Sequence, residues 1–237
     1  MRRILPEDVT RVILLDADFF FYADIKQLFD HFDNFKDTTL FGLAYAQLTT
    51  YRAGFKKYRE SHPGTKIGDP PPDGVTGYNG GLSMLHLSNM RKSKHYRQIL
   101  LNNEMKQYGT KYQFRGTRAE QDFFVLLDAE HHDELFYVLP CQWNRQLCIY
   151  FTQYDDYKKY RICPKPIFAY HGNCNSKMPT IADPYPFGAE ESQAESLKRL
   201  WLKFIDYWTD ALKNRKQRWG LVRLSLIFKE HSQNSTE

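Results

Sequence analysis

The sequence predicts an open α/β fold carried by residues 1–180, with a C-terminal helical extension over 181–237. Three observations predict it. A short apolar run, Arg11-Val12-Ile13-Leu14-Leu15, stops abruptly at Asp16-Ala17-Asp18. Helical spacing of Ile25, Leu28, Phe29 and Phe32 follows behind Asp24, a capping residue type. A second apolar run, Ile167-Phe168-Ala169-Tyr170, stops in the same way at His171-Gly172. Continuous apolar runs of this length read as strands buried on both faces, and the first is expected to be parallel to its neighbours. In open α/β sheets ligands bind beyond the strand ends, so the residues at both stops are candidates for a site.

Between these landmarks the chain alternates. Thr39 to Gln47 reads as a strand. Gly68-Asp69-Pro70-Pro71-Pro72-Asp73-Gly74 is a loop, because three prolines remove donors and fix φ. Gly77-Tyr78-Asn79-Gly80-Gly81 reads as a tight turn leading into a strand over Leu82 to Leu87. A helix is expected over Ser88 to Tyr108, another from Glu120 through Leu127, and a short strand at Tyr137-Val138-Leu139. After Pro179 the character changes: Leu197, Leu200, Trp201, Phe204, Ile205, Trp208 and Leu212 trace one face of a long amphipathic helix.

Bulk properties narrow the function classes. Apolar residues make up 42% and aromatics 16% of 237 residues, enough for a packed core. A net charge of +5 suits a small polyanion such as a nucleotide diphosphate. It is mild, no basic stripe with interleaved aromatics stands out before the C-terminus, and the basic cluster from Lys213 to Arg218 reads as a solvated helix end, so nucleic-acid binding is not expected. No apolar stretch is long enough to span a membrane, and no apolar core follows the initial arginines as a signal peptide would require. Cys141, Cys148, Cys163 and Cys174 lie in one segment without a Cys-x-x-Cys pair, which argues against zinc. Two disulfides and four buried thiols both fit them.

Asp16-x-Asp18 at a strand end suits a hard divalent cation, magnesium or manganese, held against a diphosphate. The same pattern opens a class of phosphatases with an aspartate nucleophile, but Phe20 stands where those sites place Thr or Val. His171 could complete a carboxylate–imidazole set that favours manganese. The Asn79 amide and the backbone at Gly80 could approach a ligand closely. Glu120-Gln121-Asp122 sits at a helix start, where acidic residues complement the dipole but a glutamine is unexplained. Pro140 to Cys148 combines Trp143, Asn144 and Arg145, a set suited to sugar stacking and hydrogen bonding, although Trp143 fits the core equally well.

Together these segments resemble one family. Leu15-Asp16-Ala17-Asp18, Gly77-Tyr78-Asn79-Gly80-Gly81, Gln121-Asp122-Phe123-Phe124, Trp143-Asn144-Arg145-Gln146-Leu147-Cys148 and His171-Gly172-Asn173-Cys174-Asn175 occur in the order found in the xyloside xylosyltransferases, retaining glycosyltransferases of family eight. The resemblance runs from about Leu5 to Pro179. It implies a GT-A-type, Rossmann-like fold and retaining transfer of xylose from UDP-xylose. The implied acceptor is an α-linked xylose on O-glucosylated EGF-like repeats, such as those of Notch receptors, and the implied product an α1,3 linkage. Asp16, Asp18 and His171 would hold manganese or magnesium. Asn79 and Gln121 would line the donor sugar with Asp122 beside them, and Gly80, Gly172 and Lys177 would meet the donor. Trp143, Asn144 and Asn173 would face the acceptor. The resemblance also implies the pairings Cys141–Cys163 and Cys148–Cys174, and residence in the endoplasmic reticulum lumen.

The sequence departs from the family at Ala119-Glu120, where relatives carry Gly-Asp, and at Gly80, where they carry Ser. It also starts just before the Asp-x-Asp strand, so the first part of the nucleotide-binding half is expected to be missing. A shortened relative that binds glycans or protein without catalysis is therefore an alternative. Asn234-Ser235-Thr236 is a glycosylation sequon close to the end.

Overall fold

The structure is a computed structural model that describes residues 4–116, 118, 120–150 and 156–177. The amphipathic helix expected over Leu197 to Leu212 lies outside the described residues, as does the sequon.

Strand β1 (Arg11–Leu15) ends at the acidic pair and is followed at once by β2 (Phe19–Phe21). Helix α1 (Ile25–Asp30) starts where the capping residue predicted, with the Asp24 carboxylate accepting from the Lys26 N–H at 2.8 Å. Strand β3 (Phe41–Tyr45) lies inside its expected range. Two short helices follow, α2 (Thr50–Gly54) and α3 (Lys56–Ser61). The proline-rich loop closes on Asp69, whose carboxylate pairs with Arg52 and Arg59.

Strand β4 (Tyr78–His86) begins earlier than expected. Only Gly77, at φ 82°, keeps the turn conformation, while Asn79, Gly80 and Gly81 are strand residues. The single helix expected over Ser88 to Tyr108 is three: α4 (Leu87–Lys92), α5 (Lys94–Leu101) and α6 (Glu104–Lys111). Ser93 breaks the first pair and caps the second helix through its hydroxyl, while Asn103 separates α5 from α6 in the left-handed conformation at φ 55°. Helix α7 (Glu120–Leu135) carries a non-helical residue at His131 and leads into β5 (Phe136–Val138). The last elements are β6 (Arg145–Gln146), α8 (Tyr157–Tyr160) and β7 (Ala169–His171).

The strands form two sheets, β1-β4-β3-β5 and β2-β7-β6. The first is mixed. β1 pairs antiparallel with β4, from Arg11↔His86 to Leu15↔Leu82, which corrects the parallel expectation. An unbroken apolar run reports that both faces are buried, not which way the neighbour runs. Only β3 with β5, and β6 with β7, are parallel. Apolar residues of β1, β4 and β7 meet α1 in one core layer, and α5 and α7 cover the other face. In this arrangement the ends of β1 and β7 and the middle of β4 converge.

Candidate active site

Asp16 leaves β1 with its N–H donating to the Gly81 carbonyl at 2.7 Å. Two residues on, the Asp18 carbonyl accepts from the Gly172 N–H at 2.8 Å, which ties the acidic segment to the end of β7. Phe19 pairs with His171 across β2 and β7, and their rings stack at 4.4 Å. These backbone and ring contacts put the His171 Nε2 at 3.3 Å from an Asp18 oxygen and 3.9 Å from an Asp16 oxygen. Thus the residues at the two predicted strand stops meet.

The imidazole is buried, its side chain 3% exposed, whereas the side chains of Asp16 and Asp18 are 33% and 46% exposed. The site is a rigid base with two carboxylates opening to solvent. Burial alone would raise the Asp18 carboxyl. The hydrogen bond and charge of His171 outweigh it and hold Asp18 below its ordinary value.

Behind the imidazole lies a chain of amides. His171 Nδ1 is 3.1 Å from the Asn144 Oδ1, and the Asn144 Nδ2 donates to the Asn79 Oδ1 at 3.0 Å. Because Oδ1 can only accept, Nδ1 carries a proton, which leaves Nε2 as the nitrogen turned to Asp16 and Asp18 and the one whose lone pair a bound cation would take. Asn79 Oδ1 also accepts from the Gly81 N–H at 3.1 Å, so the amide is locked to its own strand. Asn144, expected on the acceptor side, is fully buried and positions His171 instead.

Gly81 makes the approach possible. A Cβ there would lie 2.3 Å from His171 Cε1 and 3.0 Å from Asp16 Oδ2. Two carboxylates, an imidazole lone pair and a backbone cut back to glycine suit a divalent cation with mixed oxygen and nitrogen ligands.

The other expected site residues are placed as follows. Gln121 and Asp122 lie in the first turn of α7, where the Asp122 carboxylate accepts from the Arg118 N–H at 2.7 Å. Val125, one turn further on, reaches the position beside Gly77 that a Cβ would occupy, which brings the start of α7 to the Asn79 end of β4. Gly80 is buried, and its carbonyl accepts from the Ser83 hydroxyl. Asn173 Oδ1 accepts from the Cys148 N–H at 2.9 Å, and Lys177 is exposed. Trp143 takes the core reading: it is 2% exposed, packs on Phe168, and donates its indole N–H to His31, which leaves no open face for a sugar. The cysteines pair as Cys141–Cys163 and Cys148–Cys174.

No family model matches the chain. Mouse xyloside xylosyltransferase 1 is 40% identical over 182 residues, covering 76% of this chain and 46% of that protein. The crystal structure of the mouse protein in its apo form superimposes with a TM-score of 0.73, over 76% of this chain and 62% of the other. The chain is a homologue of the xyloside xylosyltransferases. Its fold is accordingly of the GT-A type. The human xyloside xylosyltransferase 1 is 38% identical over the same length, and human xylosyl- and glucuronyltransferase LARGE1 is 27% identical over 207 residues, 87% of this chain and 24% of that protein. The chain thus spans about half the length of the xyloside xylosyltransferases it matches. Similarity to these transferases speaks against the phosphatase alternative that the sequence left open.

Proposed function

We propose that this chain carries the metal-binding and sugar-transfer portion of a retaining xylosyltransferase that uses UDP-xylose. The observation that carries this reading is the meeting of Asp16, Asp18 and His171 Nε2 around Gly81. Manganese suits the donor set, with magnesium the closest alternative, and when bound it supplies Lewis-acid stabilisation to the departing diphosphate. The chain's own residues do the rest. Asp16 and Asp18 provide the anionic ligands, and His171 is held in one tautomer by Asn144. Asn79 and Gln121 line the xylose, with Gln121 beside its anomeric carbon and Asp122 fixing the start of the helix that bears it. Gly80, Gly172 and Lys177 meet the nucleotide diphosphate.

Transfer with retention takes place on one face of the sugar. The bond from the anomeric carbon to phosphate oxygen breaks, the acceptor oxygen bonds to that carbon, and the acceptor proton passes to the leaving phosphate. No enzymic nucleophile is needed. The acceptor is an α-linked xylose on O-glucosylated EGF-like repeats, met on the side of Asn173. The two disulfides fit an oxidising compartment, and we place the protein in the endoplasmic reticulum lumen. Among the described residues no helix is long and apolar enough to cross a membrane.

The test is calorimetric titration of the folded chain with UDP-xylose, with and without manganese. Binding that appears only with the metal and is lost in Asp18→Asn supports the reading. Metal-independent binding, or none, overturns it for this chain.

A further inference from the structure

A second group of nitrogen and oxygen donors lies at the other end of the main sheet. Glu134 precedes Phe136, which pairs with Phe41, itself paired with Leu85 at the His86 end of β4, away from Asn79 and Gly81. We propose that His95, His131 and Glu134 form a second divalent-cation site, a two-histidine, one-carboxylate set suited to zinc, which pins α5 to the end of α7.

Ligand atoms of the three residues all lie within 4.8 Å of one another. His95 Nδ1 is 2.8 Å from Glu134 Oε1, and the two imidazoles meet edge to face at 4.9 Å. A histidine–glutamate hydrogen bond would account for His95 and Glu134 alone. It does not account for His131, which departs from helical geometry inside α7 (φ −135°, ψ 30°) and has its own supporting partners. Its Nε2 is 2.9 Å from the Tyr108 hydroxyl oxygen, and the Tyr108 hydroxyl donates to Glu104 at 2.7 Å. That hydroxyl has one hydrogen and gives it to the carboxylate, so His131 Nε2 is the donor and the lone pair lies on Nδ1. A histidine whose second nitrogen is fixed by a hydroxyl backed by a carboxylate is the outer-shell arrangement that orients metal ligands. His95 and Glu134 are each about two-fifths exposed, so an ion has a path in from solvent.

The chemistry differs from that of the first site. Two imidazoles and one carboxylate favour zinc, with a water filling the fourth tetrahedral position. Asp16, Asp18 and His171 supply more oxygen and suit a harder ion. A zinc at the second site would join helices from opposite sides of a long chain segment and act on stability, leaving transfer chemistry untouched.

The experiment uses the full chain carrying Asp16→Asn and Asp18→Asn, which removes the first site. Zinc is titrated calorimetrically, and thermal unfolding is followed with and without it. The proposal expects one zinc per chain, a melting temperature that zinc raises, and at least a tenfold loss of zinc affinity in both His95→Gln and Glu134→Gln. Zinc affinity that neither variant changes, or no zinc binding by the folded chain, overturns it. Because the first site is absent throughout, the result is independent of whether the chain binds UDP-xylose.

Discussion

Asn144 Oδ1 lies 3.1 Å from His171 Nδ1, and this one hydrogen bond decides which nitrogen of the imidazole faces Asp16 and Asp18. Asn144→Ala should therefore weaken manganese binding by about ten- to a hundredfold, as removal of an outer-shell partner does. It should also lower stability by roughly 1–3 kcal/mol, since the Asn79 carbonyl and His171 N–H lose a buried partner. Manganese titration and thermal unfolding of the variant check both. Unchanged affinity would mean that His171 is oriented by something else, such as its stacking on Phe19.

Gly81→Ala places a methyl against His171 and Asp16 on strand backbone that has no other need of glycine's freedom. Since β4 is central to its sheet, the methyl cannot swing away, and His171 must. Manganese affinity should fall roughly tenfold or more while the circular dichroism spectrum stays that of the parent. Parent-like manganese affinity in this variant would contradict the glycine's role.

The two disulfides close segments of 22 and 26 residues, and each should contribute about 3–4 kcal/mol by restricting the unfolded chain. Their effects on the site should differ. Cys174 is three residues beyond His171, and Asn173 is bonded to the Cys148 N–H, so paired serine substitutions at Cys148 and Cys174 should weaken metal binding as well as stability. The Cys141 and Cys163 pair should affect stability alone. Urea unfolding and manganese titration of the two double variants separate these outcomes.

A pair formed by buried Asp128 and partly exposed His132 sets a pH dependence of stability. Burial raises the Asp128 carboxyl, and the hydrogen bond to Asp128, at 2.6 Å, raises the His132 imidazole. Both groups therefore hold protons more tightly folded than unfolded. The contribution is fully present at acid pH. It is lost as pH climbs from the ordinary aspartate value near 3.8, and then past the ordinary histidine value near 6.5 through the raised value of His132. The urea midpoint should fall as pH rises from about 3.8, and again as it rises past about 6.5, and His132→Gln should flatten the second part of that slope. An unflattened slope would assign the dependence to other groups.

What the sequence made legible was local. Asp16 and Asp18 stand where an apolar strand stops, Asp24 caps the helix behind it, and His171 ends a second apolar run, so the site's ligands could be read from short spacings. Other features depend on contacts distant in sequence. Asn144 meets Asn79 across 65 residues and His171 across 27, and an amide in a polar, aromatic segment gives no sign of which side chain it will serve. Trp143 shows the same ambiguity: an aromatic suited to a sugar is suited to a core, and only Phe168 and His31 decide between them. The glycines after Asn79 looked like a turn because glycine has more than one use. Here Gly81 makes room for His171 within a strand. The strand β2 was hidden because Phe19 to Phe21 is too short to show a period.

The most direct test of the central claim is manganese binding to the parent and to His171→Ala, each in the presence of UDP, followed by the electron paramagnetic resonance signal of free manganese. If Asp16, Asp18 and His171 hold the ion, the parent should deplete that signal at one ion per chain and the variant should need at least tenfold more protein to do so. Equal depletion by the two proteins would contradict the site.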